Sequence, residues 1–200
     1  MPARARTFGW SLILLSSCSL SAWGGDREIA PAEGYAKLST AALSLVRGLR
    51  KVVGGSVTIV ILHGGDRSHK LLAIDHRSAF LDRAKANQAL GKVKIDKVIR
   101  HAYSDPGELR KLLKTSGARI LVIGTGLTRS LKEILKEAKA VKALTLGCRA
   151  SQTRLGVGFA VVRLNRRLRM FINRKACLQA GFRFSNAVLK RATIVDRKKK

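Results

Sequence analysis

Two short apolar runs constrain this chain more than any other feature. Val57-Thr58-Ile59-Val60-Ile61-Leu62 and Arg119-Ile120-Leu121-Val122-Ile123 are apolar at nearly every position and rich in β-branched residues. A strand with one wet face would alternate polar with apolar, so both runs are expected to be covered on two faces, as in a parallel sheet flanked by helices. Each ends in glycine, at His63-Gly64-Gly65-Asp66 and at Gly124-Thr125-Gly126.

The surrounding segments fit that frame. Leu38, Ala42, Leu45 and Leu49 recur on one helical face, with Gly54-Gly55 as the stop. Residues 69 to 90 read as a helix with an irregular apolar face, and Lys94 to Ile99 as a short strand. Asp105-Pro106 with Glu108 makes a helix start, with an N-cap, a proline at N1 and a carboxylate in the first turn. Leu109, Leu112 and Leu113 give that helix its buried stripe. Leu131, Ile134, Leu135, Ala138 and Val141 mark a further helix, and Ala143 to Gly147 a third short strand. Strands alternating with helices imply crossover connections and a mostly parallel sheet.

The pattern then changes. Val157 to Arg163 and Arg167 to Ile172 flank a Leu164-Asn165-Arg166 turn, as a β-hairpin would. Asn173 caps a short helix that Gly181 ends, and Ser185 caps another. The expected fold class is α/β: a mostly parallel central sheet with crossover helices, a C-terminal antiparallel hairpin and two short helices. No repeat or linker divides residues 36 to 195, which read as a single domain after a 25–35 lead and before a basic 196–200 tail.

The first residues have another character. Arg4 and Arg6 precede an uncharged stretch over 7–25 with an apolar centre from Trp10 to Leu15, the pattern of a secretory signal. Ala22-Trp23-Gly24 places small residues at −3 and −1, so residues 1–24 are expected to be a cleaved signal peptide. Leu15-Ser16-Ser17-Cys18 offers a competing reading, a lipobox in which Cys18 is lipidated and anchors the protein. Either places the chain in the periplasm, where Cys148 and Cys177 are permitted to pair.

Few residues ask for chemistry. His63, Gly64, Gly65, Asp66, Gly124, Thr125 and Gly126 are candidate ligand loops, because open α/β sheets bind ligands at the carboxyl ends of their strands. Arg129 breaks the spacing of a dinucleotide fingerprint, and a phosphate-loop lysine is missing. His69 and His76 lie two helical turns apart, about 10 Å, too far for one metal ion. No Gly-x-Ser-x-Gly elbow occurs. No catalytic residue, metal site or cofactor is expected, and the loops at the strand ends suit a small-molecule or solute-binding module.

Charge is the second constraint. The 200 residues hold 40 Lys plus Arg against 12 Asp plus Glu, a net +28. From Ala138 to Lys200 there are 17 basic residues and a single acid, Asp196. Arg163, Arg166, Arg167 and Arg169 crowd the hairpin, and Arg174-Lys175 follow, forming a candidate basic patch. In the cytosol such a surface would hold nucleic acid through phosphates. In the periplasm its partners would be anionic lipid headgroups, envelope polymers or an acidic protein face.

Gly156-Val157-Gly158-Phe159, the hairpin, Phe171-Ile172-Asn173, Ala176, Ala180-Gly181-Phe182, Ser185, Leu189 and Ala192 to Val195 follow one another in an order that resembles the C-terminal motif of the YfiR-like family of bacterial periplasmic proteins. The resemblance extends over about residues 36 to 195. It implies a protein without catalytic residues that represses a membrane signalling partner, an inner-membrane diguanylate cyclase, by binding its periplasmic part. Where many members carry a Trp-Pro pair after the first helix, this chain has Arg50-Lys51-Val52-Val53. The oligomeric state is left open, a homodimer included.

Overall fold

The computed structural model describes residues 28–86 and 90–195. The leader, Cys18 and the 196–200 tail lie outside the described residues. The elements run α1 (Ala32–Ser44), α2 (Leu49–Val53), β1 (Ser56–His63), α3 (Arg67–Lys85), β2 (Lys94–Ala102), α4 (Pro106–Ser116), β3 (Ile120–Ile123) and α5 (Leu131–Ala140). They continue with β4 (Leu144–Gly147), α6 (Ala150–Arg154), β5 (Phe159–Leu164), β6 (Arg167–Ile172), α7 (Arg174–Gln179), α8 (Asn186–Leu189) and β7 (Ala192–Ile194). The seven strands form one sheet in the order β2-β1-β3-β4-β5-β6-β7. β2, β1, β3, β4 and β5 are mutually parallel, β6 returns antiparallel to β5, and β7 lies parallel to β6.

Burial explains why the two apolar runs do not alternate. Val57, Ile59, Ile61, Ile120 and Val122 point into one core, with Tyr35 and Leu43 of α1 and Phe80 of α3. Val60, Leu62, Leu121 and Ile123 point into a second, built with Leu109 and Leu113 of α4 and Leu131, Ile134 and Ala138 of α5. Successive side chains of a strand leave on opposite faces, so a strand between two helix layers is apolar throughout. The expected α/β class is therefore present, hairpin included.

Several boundaries differ from expectation. The first helix is two helices, because Gly48 adopts φ 66 between α1 and α2. Leu45, expected on the buried stripe, is 49% exposed at this break. The strand from Lys94 continues three residues past Ile99. The hairpin turn is Asn165-Arg166 alone, since Leu164 already pairs with Arg167 across the ladder. Both turn residues have positive φ, 49° and 61°, as in a type I′ turn. The Ser185 side chain makes no cap, although α8 begins after it, and its buried Oγ has no hydrogen-bond partner. β7, a short strand along β6, was not expected at all.

Two cap assignments hold in atomic detail. Asp105 Oδ1 accepts the Gly107 and Glu108 amides at 2.7 and 3.0 Å, with Pro106 at N1. Asn173 Oδ1 accepts from the Ala176 amide at 3.0 Å, while its Nδ2 donates to Thr153 O at 3.0 Å. Asn173 thus ties α7 to α6 as well as capping it.

Candidate functional site

The strand order creates one topological switch point. From β1 the chain passes to β2 on one side, then returns to β3 on the other, so the crevice between the carboxyl ends of β1 and β3 lies where connections diverge. The candidate loops meet there. The Gly64 amide donates to Thr125 O at 3.2 Å, and the Gly124 amide to Leu62 O at 2.9 Å. A Cβ on Gly124 would stand 2.5 Å from Leu62 O, so this approach of backbones requires glycine.

Histidine fills the space that the glycines leave. The His69 ring, one turn into α3, lies against Gly64 and Gly126; a Cβ at Gly64 would be 2.9 Å from its Nδ1, and one at Gly126, where φ is 79°, would overlap the ring. The same Nδ1 is 3.4 Å from Asp66 Oδ2 on the preceding loop. His63 is buried, with Nδ1 2.7 Å from Gly64 O. A carbonyl only accepts, so Nδ1 of His63 is the donor in this contact. The Gly-rich loops therefore serve a close fit among backbones and one imidazole.

Acidic groups stand beside this crevice, at the end of β2. His101 Nε2 is 3.5 Å from Glu108 Oε1, and Ser104 Oγ lies within hydrogen-bond reach of the Asp105 and Glu108 carboxylates, its single proton serving one of them at a time. Tyr103 donates to Glu133 Oε2 at 3.1 Å; loss of water around the phenol, then the Glu133 carboxylate, pushes its pKa up to about 12. Among the described residues no three His, Cys, Asp or Glu are grouped to hold a metal ion.

The six basic residues of the candidate patch are all exposed, but they do not share one face. Across the ladder Arg163 stands opposite Leu168, Leu164 opposite Arg167, and Val162 opposite Arg169. Arg167 and Arg169 thus share a face with Leu164, while Arg163 shares the other with Leu168. Arg174 and Lys175 sit at the far end of β6, where α7 begins.

The cysteine pairing is not made. Cys148 and Cys177 are both free and buried, and Cys177 Sγ donates to Gly158 O at 3.1 Å. Burial pushes both thiols up to about 12, which keeps them protonated. Sequence reading missed the role of Gln152, whose buried Oε1 accepts the Cys148 and Arg149 amides at 2.8 and 3.0 Å. A lone glutamine in a five-residue helix carries no periodic signal.

The C-terminal module has an antiparallel hairpin, an Asn-capped helix closed by Gly181 at φ 88, and a short apolar strand. A family model described as YfiR/HmsC-like matches residues 66–193, from the start of α3 into β7. The chain belongs to the YfiR/HmsC-like family. No curated protein matches it. Solved structures share the fold at low identity. One is the ABC domain in complex with L-Trp from Streptococcus pneumonia, at TM-score 0.59 and 14% identity, covering 82% of this chain and 62% of that one. A conserved domain protein from Vibrio cholerae gives 0.59 at 15%, covering 84% and 60%. CD0873 from Clostridium difficile, a substrate binding protein with adhesive properties, gives 0.53 at 12%, covering 78% and 59%. This YfiR/HmsC-like chain spans about three-fifths of the length of those proteins.

Proposed function

We propose that this protein is an exported, non-catalytic regulatory domain that modulates a membrane signalling partner, a diguanylate cyclase, through periplasmic contact. The observation that carries this reading is the family match over residues 66–193. The family fits a periplasmic regulator. A switch-point crevice closed by the protein's own His69 also suits a domain that works by its surface. In this reading residues 1–24 are removed, or Cys18 becomes a lipid anchor, and 36–195 is the working domain.

The test is genetic and chemical together. Deleting the gene in its own host should raise cyclic-di-GMP and biofilm mass, and the full chain should restore both. A version lacking residues 1–24 should not. Unchanged cyclic-di-GMP after deletion would sink the reading. Intact mass from the envelope should show a species beginning at Gly25 or at lipidated Cys18.

A second reading, a solute-binding module, draws on the convergence of the Gly64 and Gly124-Thr125-Gly126 loops at the switch point. A thermal-shift screen with amino acids and nucleotides tests it, because a tight ligand raises stability by mass action.

A further inference from the structure

We infer that the tip of the β5–β6 hairpin is a membrane-docking element that seats on anionic phospholipid headgroups. Residues 163 to 169 are seven consecutive exposed positions holding four arginines, two leucines and one asparagine. Leu164 remains 39% exposed on one face of the ribbon, while Leu168 on the other, 37% exposed, packs against Gly34 of α1. Between Ala138 and Val195 the chain has no acidic residue at all. The carboxylate contacts of basic side chains among the described residues, His69–Asp66, His101–Glu108 and the Arg110–Glu137 ion pair, involve none of these arginines.

The turn itself supplies a second, independent observation. A type I′ turn asks for φ > 0 at both central residues, and Asn-Gly is the sequence that meets this at least cost. Here the second position is Arg166 at φ 61. An L side chain with a Cβ is strained there. The fold thus keeps a guanidinium at the apex where glycine would be more stable. Strain retained at an exposed tip points to a use for that side chain.

Lipid fits the tip better than the other polyanions. Guanidinium groups pair bidentately with phosphate, and each basic residue near an anionic leaflet adds attraction within a Debye length. Leu164 beside them gains by entering the acyl boundary, as on interfacial segments. Single-stranded nucleic acid would instead reward aromatic stacking platforms, and residues 163 to 170 contain no aromatic; duplex, held through phosphates, would gain nothing from Leu164. The inference deepens the regulatory reading on which it rests, by holding the domain against the membrane that carries its partner.

Vesicle sedimentation with the purified full chain tests it, using phosphatidylcholine with or without a quarter of phosphatidylglycerol. Binding should require phosphatidylglycerol. The Arg166→Glu/Arg167→Glu double variant should bind at least about tenfold more weakly. The control Lys70→Glu/Lys85→Glu, an equal charge change on the exposed side of α3, should leave most of the binding intact. Leu164→Ser, which keeps the charge, should also weaken it severalfold. Arg166→Gly should weaken binding while raising the melting temperature. Equal loss in the α3 control would reduce the effect to net charge and overturn the inference. So would a Leu164→Ser variant that binds unchanged while duplex DNA strips the protein from vesicles. Cyclic-di-GMP control by a native chain that does not bind these vesicles sinks the docking surface alone. Vesicle binding without such control sinks the regulatory reading alone.

Discussion

The imidazole of His69 packs directly on Gly126, in the volume that any side chain at position 126 would need. This contact joins the first turn of α3 to the loop after β3 and closes the switch point between β1 and β3. Gly126→Ala should therefore destabilise the protein by about 2 kcal/mol or more, through its positive φ and the overlap with the ring. Adding His69→Ala should recover the steric part and leave the backbone part. Urea unfolding of the two single variants and the double variant measures the coupling; strictly additive effects would show that the ring moves aside freely.

Asn173 ranks next, since one side chain serves two elements. Asn173→Ala removes the cap of α7 and leaves the Thr153 carbonyl of α6 without its donor, a loss of roughly 2–3 kcal/mol. Asn173→Asp keeps the cap but turns a carboxylate oxygen toward that carbonyl. It should be less stable than wild type at neutral pH, and mild acid should narrow the gap by restoring a donor. Chemical denaturation at two pH values distinguishes the two substitutions.

His76 links stability to pH. It is buried against Tyr35, ring centroids 4.8 Å apart, and its Nε2 has no hydrogen-bond partner. Loss of water outweighs the nearby Asp75 and lowers its pKa to about 4. The unfolded chain, with an ordinary histidine, takes up its proton near pH 6.5, whereas the folded protein resists until about 4. Stability from a neutral His76 is therefore full above the unfolded value and lost as pH falls through that window. The loss amounts to about 3 kcal/mol between pH 7 and pH 4 by linkage. His76→Leu should flatten this part of the stability profile, read by denaturant midpoints across the range.

The thiols make a simpler prediction. Cys148 and Cys177 are buried and held protonated, so neither should react with a disulfide reagent such as DTNB in the native protein. Both should react promptly in denaturant, without a reductant. Labelling followed by peptide mass analysis reads the two positions separately. A pair of half-cystines, two hydrogens light in the intact mass, would contradict the free thiols.

A different behaviour is expected where a carboxylate is paired. Glu137 is buried and accepts two bonds from Arg110, at 2.6 and 2.9 Å. Its hydrogen bonds to Arg110 hold the carboxyl below the usual carboxylate range despite burial. A carboxyl lowered in this way stabilises the fold above the unfolded value and loses that contribution as pH falls through the folded one. Glu137→Gln should thus cost stability at neutral pH and little at the acid end, a contrast that a pH series of thermal melts resolves.

Much of the architecture is legible along the chain because it rests on local chemistry. The uninterrupted runs at Val57–Leu62 and Ile120–Ile123 demand two covering layers wherever they sit. Asp105, Asn173 and Gly181 act within one or two turns of themselves, so their caps and stops follow from residue type. The motif from Gly156 to Val195 is equally local. By contrast, the break at Gly48 is not legible, since a periodic apolar pattern on both sides hides a left-handed residue. β7 leaves no signal in the sequence, because three residues that pair only with β6 have no period of their own.

The site divides along the same line. That Gly64-Gly65 and Gly124-Thr125-Gly126 end buried strands was written in the sequence. Their meeting was not: it depends on β1 standing between β2 and β3, an order set by how crossovers pack, and on His69 reaching a loop 57 positions further along the chain. The same holds for the arginines. Composition determined that this surface attracts anions; only the strand register decided that Arg163 and Arg167 leave on opposite faces while Arg166 caps a strained turn. Charge and period are properties of neighbours in sequence, whereas faces, crevices and their occupants are properties of neighbours in space.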